Sequence, residues 1–440
     1  MARAKKETAL TPEVRLQAAL VPDWEWPYKL PENWCWLKLV ESFDNHTDSK
    51  KKIKQKDYLV KGKLAVVDQG QELIGGYTND VEKSYSGALP IVIFGDHTRC
   101  IKFVDFPFAQ GADGVKVLRP KPFYLPKAFY YALQSVNIPN LGYRRHFPLF
   151  NKFSIPLPPF AEQQRIVDRI ESLFAKLDEA KEKAQAVVDS FETRKAAILH
   201  KAFTGELTAK WREEHGVGME SWEYKTFEAI VENMQNGLAK RKGISGTPYV
   251  VLRLANLTDC GFNTDDLREI LLDEKEQANY ELRPNDVIMI RVNGSKDNVG
   301  KQYLITNQHH WAFCDHIIRI QYSNRLLPQY MIYFSRSKNY RIYVKENIVS
   351  SAGQNTISRK GMVGLIVPTP CLNEQFEIVH ILDDLFSKEQ QSKETAEIVL
   401  NQIDLMKKSI LTCAFRGELG TNDTSEESAV ELLKEIIRRG

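Results

Sequence analysis

Apolar residues recur at alternating spacings of four and three along residues 162–207, and mostly polar residues fill the positions between them. A heptad pattern of this length is typical of a coiled coil, in which the apolar stripe of one helix packs against another helix. We therefore predict a helix of about 40 residues, ~60 Å long at ~1.5 Å per residue. The predicted stripe comprises Ile166, Ile170, Leu173, Leu177, Ala180, Ala184, Val187, Phe191, Arg194 and Ile198.

This helix is duplicated within the chain. Residues 374–419 align with residues 162–207 at a constant offset of 212, and 19 of the 46 aligned positions are identical. Prolines precede both copies, and Gly205 and Gly417 follow them, as expected at helix ends. Such a repeat predicts a pseudo-two-fold scaffold with two similar surfaces. The second stripe comprises Ile378, Leu382, Leu385, Ala396, Val399, Ile403, Met406 and Ile410, and is interrupted by Glu389 and Ser392.

Two further blocks, residues 28–154 and 221–366, are each long enough for a globular domain. In both, short runs of β-branched and aromatic residues alternate with Gly, Asn and Asp turns. Residues 63–67 and 286–292 are examples of such runs, which are typical of strands. Short helical patterns occur near residues 127–135 and 328–343. We predict a small mixed α/β domain in each block, and the two blocks are not similar in sequence as the helices are.

Composition bounds the class of protein. The chain has 440 residues, 43% of them hydrophobic and 27% charged, so we expect a soluble protein of several domains. No apolar run approaches the length of a membrane span, and no secretory signal is recognised. The six cysteines include no C-x-x-C pair, which fits the reducing cytoplasm, the predicted location. His309, His310, Cys314 and His316 match no common zinc spacing, so no metal site is predicted.

Charge is segregated along the chain. The net charge of +3 divides into +7 for residues 28–154, +4 for 221–366, −2 for 155–220 and −6 for 367–440. Local basic clusters occur at residues 50–56, 144–146 and 240–242 in the two domains. Any one cluster taken alone fits a solvated loop, but basic domains on acidic helices indicate that the domains meet a polyanion.

Catalytic motifs are absent from the sequence. Gly300-Lys301 lacks the first glycine and the final Ser or Thr of a phosphate-binding loop, and there is no G-x-S-x-G. Residues 157–160 superficially resemble the tetrapeptide of amino-methyltransferases. Leu157, however, cannot accept a hydrogen bond from a target amine, and no cofactor-binding glycine loop precedes it. We therefore predict a binding protein and not an enzyme.

The ends of the repeated helices carry a family resemblance. The segment IPLPPFAEQQRIV at residues 155–167 and the segment AFTGELT at 202–208, followed by Trp211 and Arg212, resemble the conserved helices of type I restriction–modification specificity subunits. The second copy departs from this pattern at residues 371–373, and Gly420 stands where Thr208 did. Segments at residues 236–238, 291–295 and 351–354 resemble parts of that family's target recognition domains, with weaker motifs.

The resemblance implies an α+β fold with two mixed α/β target recognition domains. Two long conserved helices, packed as an antiparallel coiled coil with pseudo-two-fold symmetry, would separate these domains. The implied domains are an N-terminal arm (1–27), target recognition domain 1 (28–154), conserved helical spacer 1 (155–220), target recognition domain 2 (221–366), and conserved helical spacer 2 with the C-terminal tail (367–440).

The resemblance also implies the partners. Each domain would read one half of a bipartite double-stranded DNA target, and the coiled coil would set the unread spacer. Two adenine-N6 methyltransferase (modification) subunits would dock on this chain, and restriction/translocase subunits would complete the complex. This chain would bind no cofactor of its own, because S-adenosylmethionine and ATP with Mg²⁺ would bind to the partner subunits.

Candidate DNA-binding residues follow from residue type and turn context. Arg and Lys suit guanine, Asn and Gln suit adenine, and lysines on loops suit phosphates. For each of them a turn-forming or capping role is the alternative, and Asn293-Gly294 also fits a hairpin turn. The base-reading candidates are Gln69, Gln71, His97, Arg99, Tyr143, Arg144 and Arg145, then Asn236, Arg253, Asn256, Arg291, Asn293, Ser295, Gln354 and Asn355. The phosphate candidates are Lys50, Lys51, Lys52, Lys54, Lys56, Lys240, Arg241, Lys242 and Lys296.

Three alternatives stay open. The helices could be an ordinary buried pair, although core helices average about three turns and these would run about ten. The chain could be a coiled-coil adaptor that binds only proteins, with incidental basic domains. It could also be the specificity subunit of a methylation-only system that has no nuclease partner.

Overall fold

The computed structural model describes residues 11–243, 245–259 and 261–439. Cys260 and the first ten residues of the predicted N-terminal arm lie outside the described residues. The helices are α1 (Pro12–Ala19), α2 (Pro126–Ser135), α3 (Phe160–Asp189), α4 (Phe191–Phe203), α5 (Ala209–Glu214), α6 (Phe227–Ile230), α7 (Glu274–Tyr280), α8 (Pro328–Phe334), α9 (Lys338–Glu346), α10 (Arg359–Met362), α11 (Leu372–Ala414) and α12 (Ala429–Arg439).

The strands are short. They are β1 (Cys35–Lys38), β2 (Phe43–Asn45), β3 (Leu64–Val67), β4 (Gly76–Thr78), β5 (Ile91–Gly95), β6 (Ile101–Val104), β7 (Phe108–Gln110), β8 (Val115–Pro120), β9 (Ser154–Leu157), β10 (Glu223–Thr226), β11 (Val231–Asn236), β12 (Thr247–Leu252), β13 (Leu257–Thr258), β14 (Gly261–Phe262), β15 (Glu269–Leu272), β16 (Val287–Ile290), β17 (Val292–Asn293), β18 (Gln302–Leu304), β19 (Trp311–Phe313), β20 (Ile317–Tyr322), β21 (Val349–Ser351), β22 (Gln354–Thr356) and β23 (Ile366–Thr369).

The chain forms two compact units. Unit 1 combines Met1–Ala184 with Ile398–Gly440, and unit 2 is Gln185–Glu397. In unit 1 a sheet of order β2-β8-β5-β6 and a smaller sheet of order β4-β3-β7 form the domain, and β3 runs parallel to β7. The described part of the predicted N-terminal arm is not free, because α1 packs on α12 in this unit.

Unit 2 repeats this topology. Its sheets have the orders β11-β20-β16-β18 and β15-β12-β19, and β12 runs parallel to β19. A small sheet of order β17-β22-β21 and the hairpin β13·β14 are additional to the pattern of unit 1. The two domains therefore share one topology, although their sequences are not similar. Backbone topology depends on which strands pair, and different side chains can satisfy the same pairing.

Each domain is closed by a two-stranded ribbon that runs into a long helix. In unit 1, β1 pairs antiparallel with β9, and α3 begins three residues after β9. In unit 2, β10 pairs antiparallel with β23, and α11 follows in the same way. Gly205 and Gly417 have φ of 83° and 76°, so the predicted glycine stops at the helix ends are confirmed.

The first copy of the repeat is not one helix of about 40 residues. It consists of α3 and α4, separated at Ser190, whereas α11 is continuous for 43 residues. The hydroxyl of Ser190 donates to the carbonyl oxygen of Ala186 at 2.5 Å. Such a back-bond competes with the helical ladder and bends a helix. The corresponding residue of the second copy is Gln402, which has no hydroxyl. Ser392, Thr395 and Thr412 of α11 make the same kind of bond at 2.8, 2.8 and 3.0 Å without interrupting that helix, so the hydroxyl alone does not explain the separation at Ser190.

The long helices pack antiparallel. In unit 2, the ammonium of Lys393 lies 4.8 Å from the ring centroid of Phe191, and that of Lys195 lies 5.9 Å from the ring centroid of Phe386. Residues with higher numbers on α4 therefore contact residues with lower numbers on α11, as in an antiparallel pair. In unit 1, the Lys407 Nζ lies 2.6 Å from a carboxylate oxygen of Asp178. The predicted α+β fold with an antiparallel coiled coil is confirmed.

Burial along the predicted stripes is uneven. The fully or nearly fully buried stripe residues are Ile166, Ile170, Ala184, Phe191, Ile378, Leu382, Ala396 and Ile403. The half-buried ones are Leu173, Leu177, Ala180, Val187, Arg194, Ile198, Leu385, Val399 and Ile410. Met406 is 47% exposed and does not belong to the buried stripe. A straight α-helix drifts relative to a strict heptad, and from Ile403 the buried stripe of α11 continues through Leu411 and Ala414 instead.

A polar pair interrupts the apolar stripes of unit 2. Glu389, which breaks the second stripe, accepts hydrogen bonds from Arg194, and the N···O distance is 2.8 Å. Both side chains are partly shielded from solvent, with exposures of 21% and 33%. The arginine in one stripe therefore meets the carboxylate that interrupts the other.

Two leucines on α11 test the packing. Leu382→Asp should lower the free energy of unfolding by several kcal/mol, because Leu382 is fully buried and the new carboxylate would have no partner. Leu405→Asp on the same helix should change it by no more than about 0.5 kcal/mol, because Leu405 is 64% exposed. Chemical denaturation measures both. Equal losses from the two substitutions would contradict the packing described above.

A buried glutamine begins each long helix. Gln163 is fully buried. Its side-chain oxygen accepts from the Leu125 backbone N–H at 2.8 Å, and its side-chain Nε2 donates to the Phe123 carbonyl oxygen at 2.8 Å. Gln375 makes the same bonds, accepting from Leu327 N–H at 2.9 Å and donating to the Arg325 carbonyl at 3.0 Å. Each glutamine therefore ties the start of its long helix to the loop that precedes α2 or α8.

A buried glutamate precedes each glutamine, and we call its surroundings the first and second junctions. In the first, Glu162 accepts from Trp34 Nε1 at 2.7 Å, Asn422 Nδ2 at 2.9 Å and Thr421 Oγ1 at 3.1 Å. Gly420, which aligns with Thr208, has no side chain to donate, and the next residue, Thr421, supplies the hydroxyl instead. All three of these donors are neutral groups.

The second junction contains a cation. Glu374 accepts from Trp222 Nε1 at 3.0 Å, Thr208 Oγ1 at 2.7 Å and the Arg212 guanidinium at 2.5 Å. Trp222 stands to β10 as Trp34 stands to β1. Both members of the Arg212–Glu374 pair are buried, with exposures of 8% and 0%.

The difference between the junctions is testable by one isosteric change. Glu374→Gln should lower the free energy of unfolding by about 3 kcal/mol or more, because it leaves Arg212 buried without a counter-charge. Glu162→Gln should cost about 1 kcal/mol, because its neutral donors keep a neutral acceptor. Chemical denaturation of the two variants measures the difference, and a larger loss from Glu162→Gln would overturn it.

Candidate nucleic-acid interface

Three candidate residues of the first domain come together at the carboxyl ends of β3 and β5. Gln69 follows β3, and its side-chain oxygen accepts from the His97 backbone N–H at 3.1 Å. His97 follows β5, and its imidazole stacks on the Tyr143 ring at 4.9 Å with an interplanar angle of 17°. Tyr143 is 84% exposed. The arrangement presents an exposed aromatic ring beside polar groups, which can stack on a base or contact its edge.

The loop that carries Tyr143, Arg144 and Arg145 is anchored from below. His146 is fully buried, and its Nδ1–H donates to the Asp96 carbonyl at 2.8 Å while its Nε2 accepts from the Leu141 N–H at 3.1 Å. The Asp96 carboxylate accepts from the His146 backbone N–H at 2.9 Å. His146 is thus part of the scaffold, and not of the basic surface in which the sequence cluster placed it. Arg144 and Arg145 are exposed.

The other candidates of this domain are placed less uniformly. Gln71 is exposed in the loop after β3, and Arg99 has a φ of 63° and donates from its guanidinium to the Ile138 carbonyl at 3.0 Å. One nitrogen of the Arg99 guanidinium, Nη1, is therefore used in a hydrogen bond within the domain.

The lysine cluster lies along the edge of the smaller sheet. Ile53, buried in the middle of the cluster, bridges to Gly111, whose N–H donates to the carbonyl of Val67 at the end of β3. The cluster is thereby held at the same strand end as Gln69. Lys50, Lys54 and Lys56 are exposed, Lys52 is half-buried, and Lys51 donates to the Ser84 carbonyl at 3.1 Å.

In the second domain, strand pairing brings distant candidates together. Asn293 on β17 lies opposite Asn355 on β22. Asn355 is 8% exposed and donates from its amide to the Gly294 carbonyl at 2.8 Å. The Asn293 side-chain oxygen accepts from the Ser295 N–H at 2.9 Å. These two asparagines shape the surface, whereas Ser295, Lys296 and Gln354 are exposed on it.

Asn256 is placed where it cannot reach a base. It is 1% exposed, its side-chain oxygen accepts from the Arg253 N–H at 2.9 Å, and its amide donates to the Asp266 carbonyl at 2.9 Å. The turn-forming alternative therefore holds for Asn256. The Arg253 guanidinium is paired with the Asp266 carboxylate at 2.8 Å.

A basic cavity of about 220 Å³ opens in the second domain. Its lining includes the cations Lys240, Arg241, Arg253 and Arg268, together with Asp315 and His316, and the apolar residues Leu238, Val251 and Ile270. The exposed Asn236 leads into it through Gly237, where a Cβ would lie 2.1 Å from the Cys314 carbonyl oxygen. Only glycine allows this approach. Arg291 borders the same region, since its guanidinium donates to the Asp315 carbonyl at 3.3 Å.

The remaining charges near the cavity are partly balanced. Lys240 is paired with Glu276 at 2.8 Å, while Lys242 is exposed. Arg268 was not a candidate from sequence, because it precedes a strand and lies in no basic cluster. Its guanidinium donates to the Arg241 carbonyl, which brings the two arginines together.

The histidines and cysteine considered for a metal do not assemble as one group. His309 stacks on Trp311 at 4.1 Å, and the His310 Nδ1 lies 2.6 Å from a Glu281 carboxylate oxygen. Cys314, Asp315 and His316 have possible ligand atoms within 4.8 Å of one another. Burial, however, raises the pKa of the Cys314 thiol, and cations line the same cavity. Both effects oppose metal binding.

Sequence reasoning missed the residues that hold these surfaces in place. Trp34, Trp222, Asp96 and Arg268 were not singled out. A signal existed for the two tryptophans, since each stands one residue before the first strand of a ribbon. Asp96 had none, because its partner His146 is distant in sequence. Among the described helices, none has the length and apolarity to cross a membrane.

These features describe two domains of one topology, with exposed basic and amide side chains, on a helical scaffold, and comparison with known proteins shows what the chain is similar to. Residues 31–188 match the family described as the type I restriction modification DNA specificity domain. The chain is therefore similar to type I restriction enzyme specificity subunits, the family that its motifs resemble. Among its relatives is the StySPI specificity subunit of Salmonella potsdam, 33% identical over 298 residues, which are 65% of this chain and 64% of that relative.

Further relatives agree. The EcoKI specificity subunit of Escherichia coli strain K12 is 29% identical over 300 residues, 65% of this chain and 64% of that protein. The chain thus aligns with less than two thirds of the length of these two relatives. The crystal structure of the HsdS subunit from Thermoanaerobacter tengcongensis has the same fold, with a TM-score of 0.59 and 18% identity, covering 90% of this chain and all of that one.

The exposed arginines of the first domain are testable by salt dependence. Arg144→Ala and Arg145→Ala should each weaken binding to duplex DNA and lower the slope of log K against log salt by about 0.9. Lys210→Ala is the matched control, because this lysine is 88% exposed on α5, outside both domains. Fluorescence anisotropy over a salt series measures the slopes. An effect of Lys210→Ala as large as that of Arg144→Ala would contradict the placement of the interface.

Proposed function

We propose that this chain is the DNA-reading subunit of a type I restriction–modification complex and is itself non-catalytic. The observation that carries the proposal is the duplication of one arrangement. Two domains of the same topology, each carrying exposed basic and amide side chains, are built on helix junctions with the same Glu-Gln pair. Each domain reads one half of a bipartite double-stranded target. Because the two domains share a topology but differ in their loops, the two half-sites that they read differ in sequence.

The partners follow from the same duplication. The helices dock two adenine-N6 methyltransferase subunits, and restriction/translocase subunits join the full complex in the cytoplasm. S-adenosylmethionine and ATP with Mg²⁺ bind to those partners, because this sequence has no phosphate-binding loop and no methyltransferase glycine loop. The coiled coil sets the unread spacer, and successive major-groove faces on one side of B-DNA are about 34–36 Å apart.

A system that only methylates fits the same features, since a nuclease partner would leave no mark on this chain. A protein-only adaptor fits less well. It gives no reason for the exposed cations at the strand ends of one domain and in the cavity of the other. Methylation sequencing of DNA from cells that express this chain with its cognate methyltransferase tests the proposal directly. A bipartite adenine-methylated motif is expected, and its absence despite active methyltransferase would overturn the proposal.

The ribbons mark where one domain can be exchanged for another. Replacing residues 227–365, which lie between β10 and β23, with the equivalent domain of a relative should change one half of the methylated motif. The other half and the spacer should stay the same, because the ribbon, the second junction and the helices are retained. Methylation sequencing is the measurement. The reciprocal exchange of residues 39–153 is the control and should change the other half. A change in both halves from either exchange would contradict modular reading.

A further inference from the structure

The two ribbons are equivalent, residue by residue, but within residues 11–243, 245–259 and 261–439 only one of them is covered. Trp36 of β1 lies opposite Pro156, and Tyr224 of β10 lies opposite Pro368. Proline has no N–H, so neither pair can exchange two backbone hydrogen bonds. The proline carbonyls also face elsewhere, since the Pro368 oxygen accepts from the Tyr330 hydroxyl at 2.7 Å. The backbone N–H and C=O of Trp36 and Tyr224 must therefore point to the outer edges of their ribbons.

In unit 1 this outer edge is occupied by the chain itself. The Val21 N–H donates to the Trp36 carbonyl at 3.0 Å, and Leu20 forms an antiparallel bridge with Leu37. Seven residues further on, Tyr28 covers the Trp36 indole, with ring centroids 4.9 Å apart, and accepts from its Nε1 at 3.2 Å. Trp36 is consequently only 3% exposed. The outer edge of this ribbon is thus covered by an extended segment at Leu20 and Val21 and by the aromatic ring of Tyr28.

In unit 2 the equivalent edge is bare. The chain reaches β10 through a short 3-10 turn, Met219–Ser221, that continues directly into the strand. Among the described residues, no backbone group bonds to Tyr224 at its outer edge. Tyr224 is 64% exposed, and Ile366, on the same face of the ribbon, is 49% exposed. An unpaired edge with apolar side chains is a template for strand addition.

We propose that the outer edge of β10 binds an extended segment of the methyltransferase partner by antiparallel strand addition. The segment donates an N–H to the Tyr224 carbonyl, places an apolar residue opposite Lys225, and covers the Tyr224 ring with a later side chain. This inference rests on the proposed function. Docking here would be continuous with docking on the long helix, because α11 begins three residues after β23, the last strand of the ribbon.

Two observations favour a partner subunit over a second copy of this chain. The segment that fits such an edge, residues 20–28, is already seated on Trp36 in its own unit, so it is not free to bind another molecule. Charge also favours an apolar occupant, because the Glu223 and Lys225 side chains flanking Tyr224 neutralise each other at 2.6 Å. The edge therefore selects for backbone pairing and apolar contact.

Hydrogen exchange of the full chain, alone and in complex with its cognate methyltransferase, tests the proposal. Within residues 222–226, the backbone N–H that points to the outer edge, that of Tyr224, should exchange rapidly in the free chain and at least about tenfold more slowly in the complex. Residues 35–38 are the internal control and should be protected in both states. A complex that is fully assembled by native mass spectrometry, with the Tyr224 N–H still unprotected, overturns the proposal. Protection of this N–H in the free chain on raising its concentration would instead assign the edge to a second copy and also overturn it.

A pair of variants separates the edge from the rest of the interface. Tyr224→Pro removes the aromatic ring and puts a proline Cδ at the outer edge, where it obstructs an added strand. It uses up only an N–H to which no described backbone group bonds, so the chain should keep its melting temperature and its affinity for DNA. Its affinity for the methyltransferase should fall about tenfold or more. Tyr224→Phe keeps the edge and the ring and should retain full affinity. If wild-type chain and methyltransferase form no complex, the proposed function fails. If the complex forms and tolerates Tyr224→Pro, only the strand addition fails.

Discussion

The fold depends on a buried glutamate at the start of each long helix. A carboxylate without solvent must be met by hydrogen-bond donors, and at each junction these donors come from separate parts of the chain. In the first, a tryptophan before β1 and two residues after α11 converge on Glu162. In the second, Trp222, Thr208 and Arg212 converge on Glu374. The adjacent glutamine binds the loop before α2 or α8. A ribbon, a domain helix and a long helix are thus joined at one point, and each domain takes its position from that point.

This requirement explains which parts of the structure could be predicted from sequence. The repeat and the heptad stripes are local periodic signals, and they led to the long helices, their glycine stops and the fold class. The Glu-Gln pair was visible as an identity between the repeats, but its role was not. Hydrogen bonds such as Trp34 to Glu162 join residues far apart in sequence, so no local pattern reports them. The break at Ser190 was missed for a different reason. The surrounding heptad pattern continues through Ser190, so the periodic signal does not report the break.

The DNA-binding candidates also divide into those that a local sequence pattern identifies correctly and those whose role depends on residues distant in sequence. Gln69, His97 and Tyr143 were chosen for residue type and turn context, and the structure brings them together at the carboxyl ends of β3 and β5. Asn256 satisfied the same criteria, and His146 lay in a basic cluster, but both are buried and hold loops. Residue type alone cannot separate these cases, because Asn and His both serve as loop anchors when their polar groups find backbone partners. The common topology of the two domains was also hidden from sequence, since strand order is preserved by pairing and not by residue identity.

The composition of the junctions sets an order of events during synthesis of the chain. The donors to Glu374 at residues 208, 212 and 222 all precede it, so the second junction can close as soon as α11 begins to emerge from the ribosome. Glu162 must wait for Thr421 and Asn422, which are made 259 and 260 residues after it. Unit 2 is a continuous stretch of chain, whereas unit 1 needs both ends of it. Domains fold as units in the order in which they are completed. The N-terminal domain should therefore be the last to reach its final form, although it is translated first.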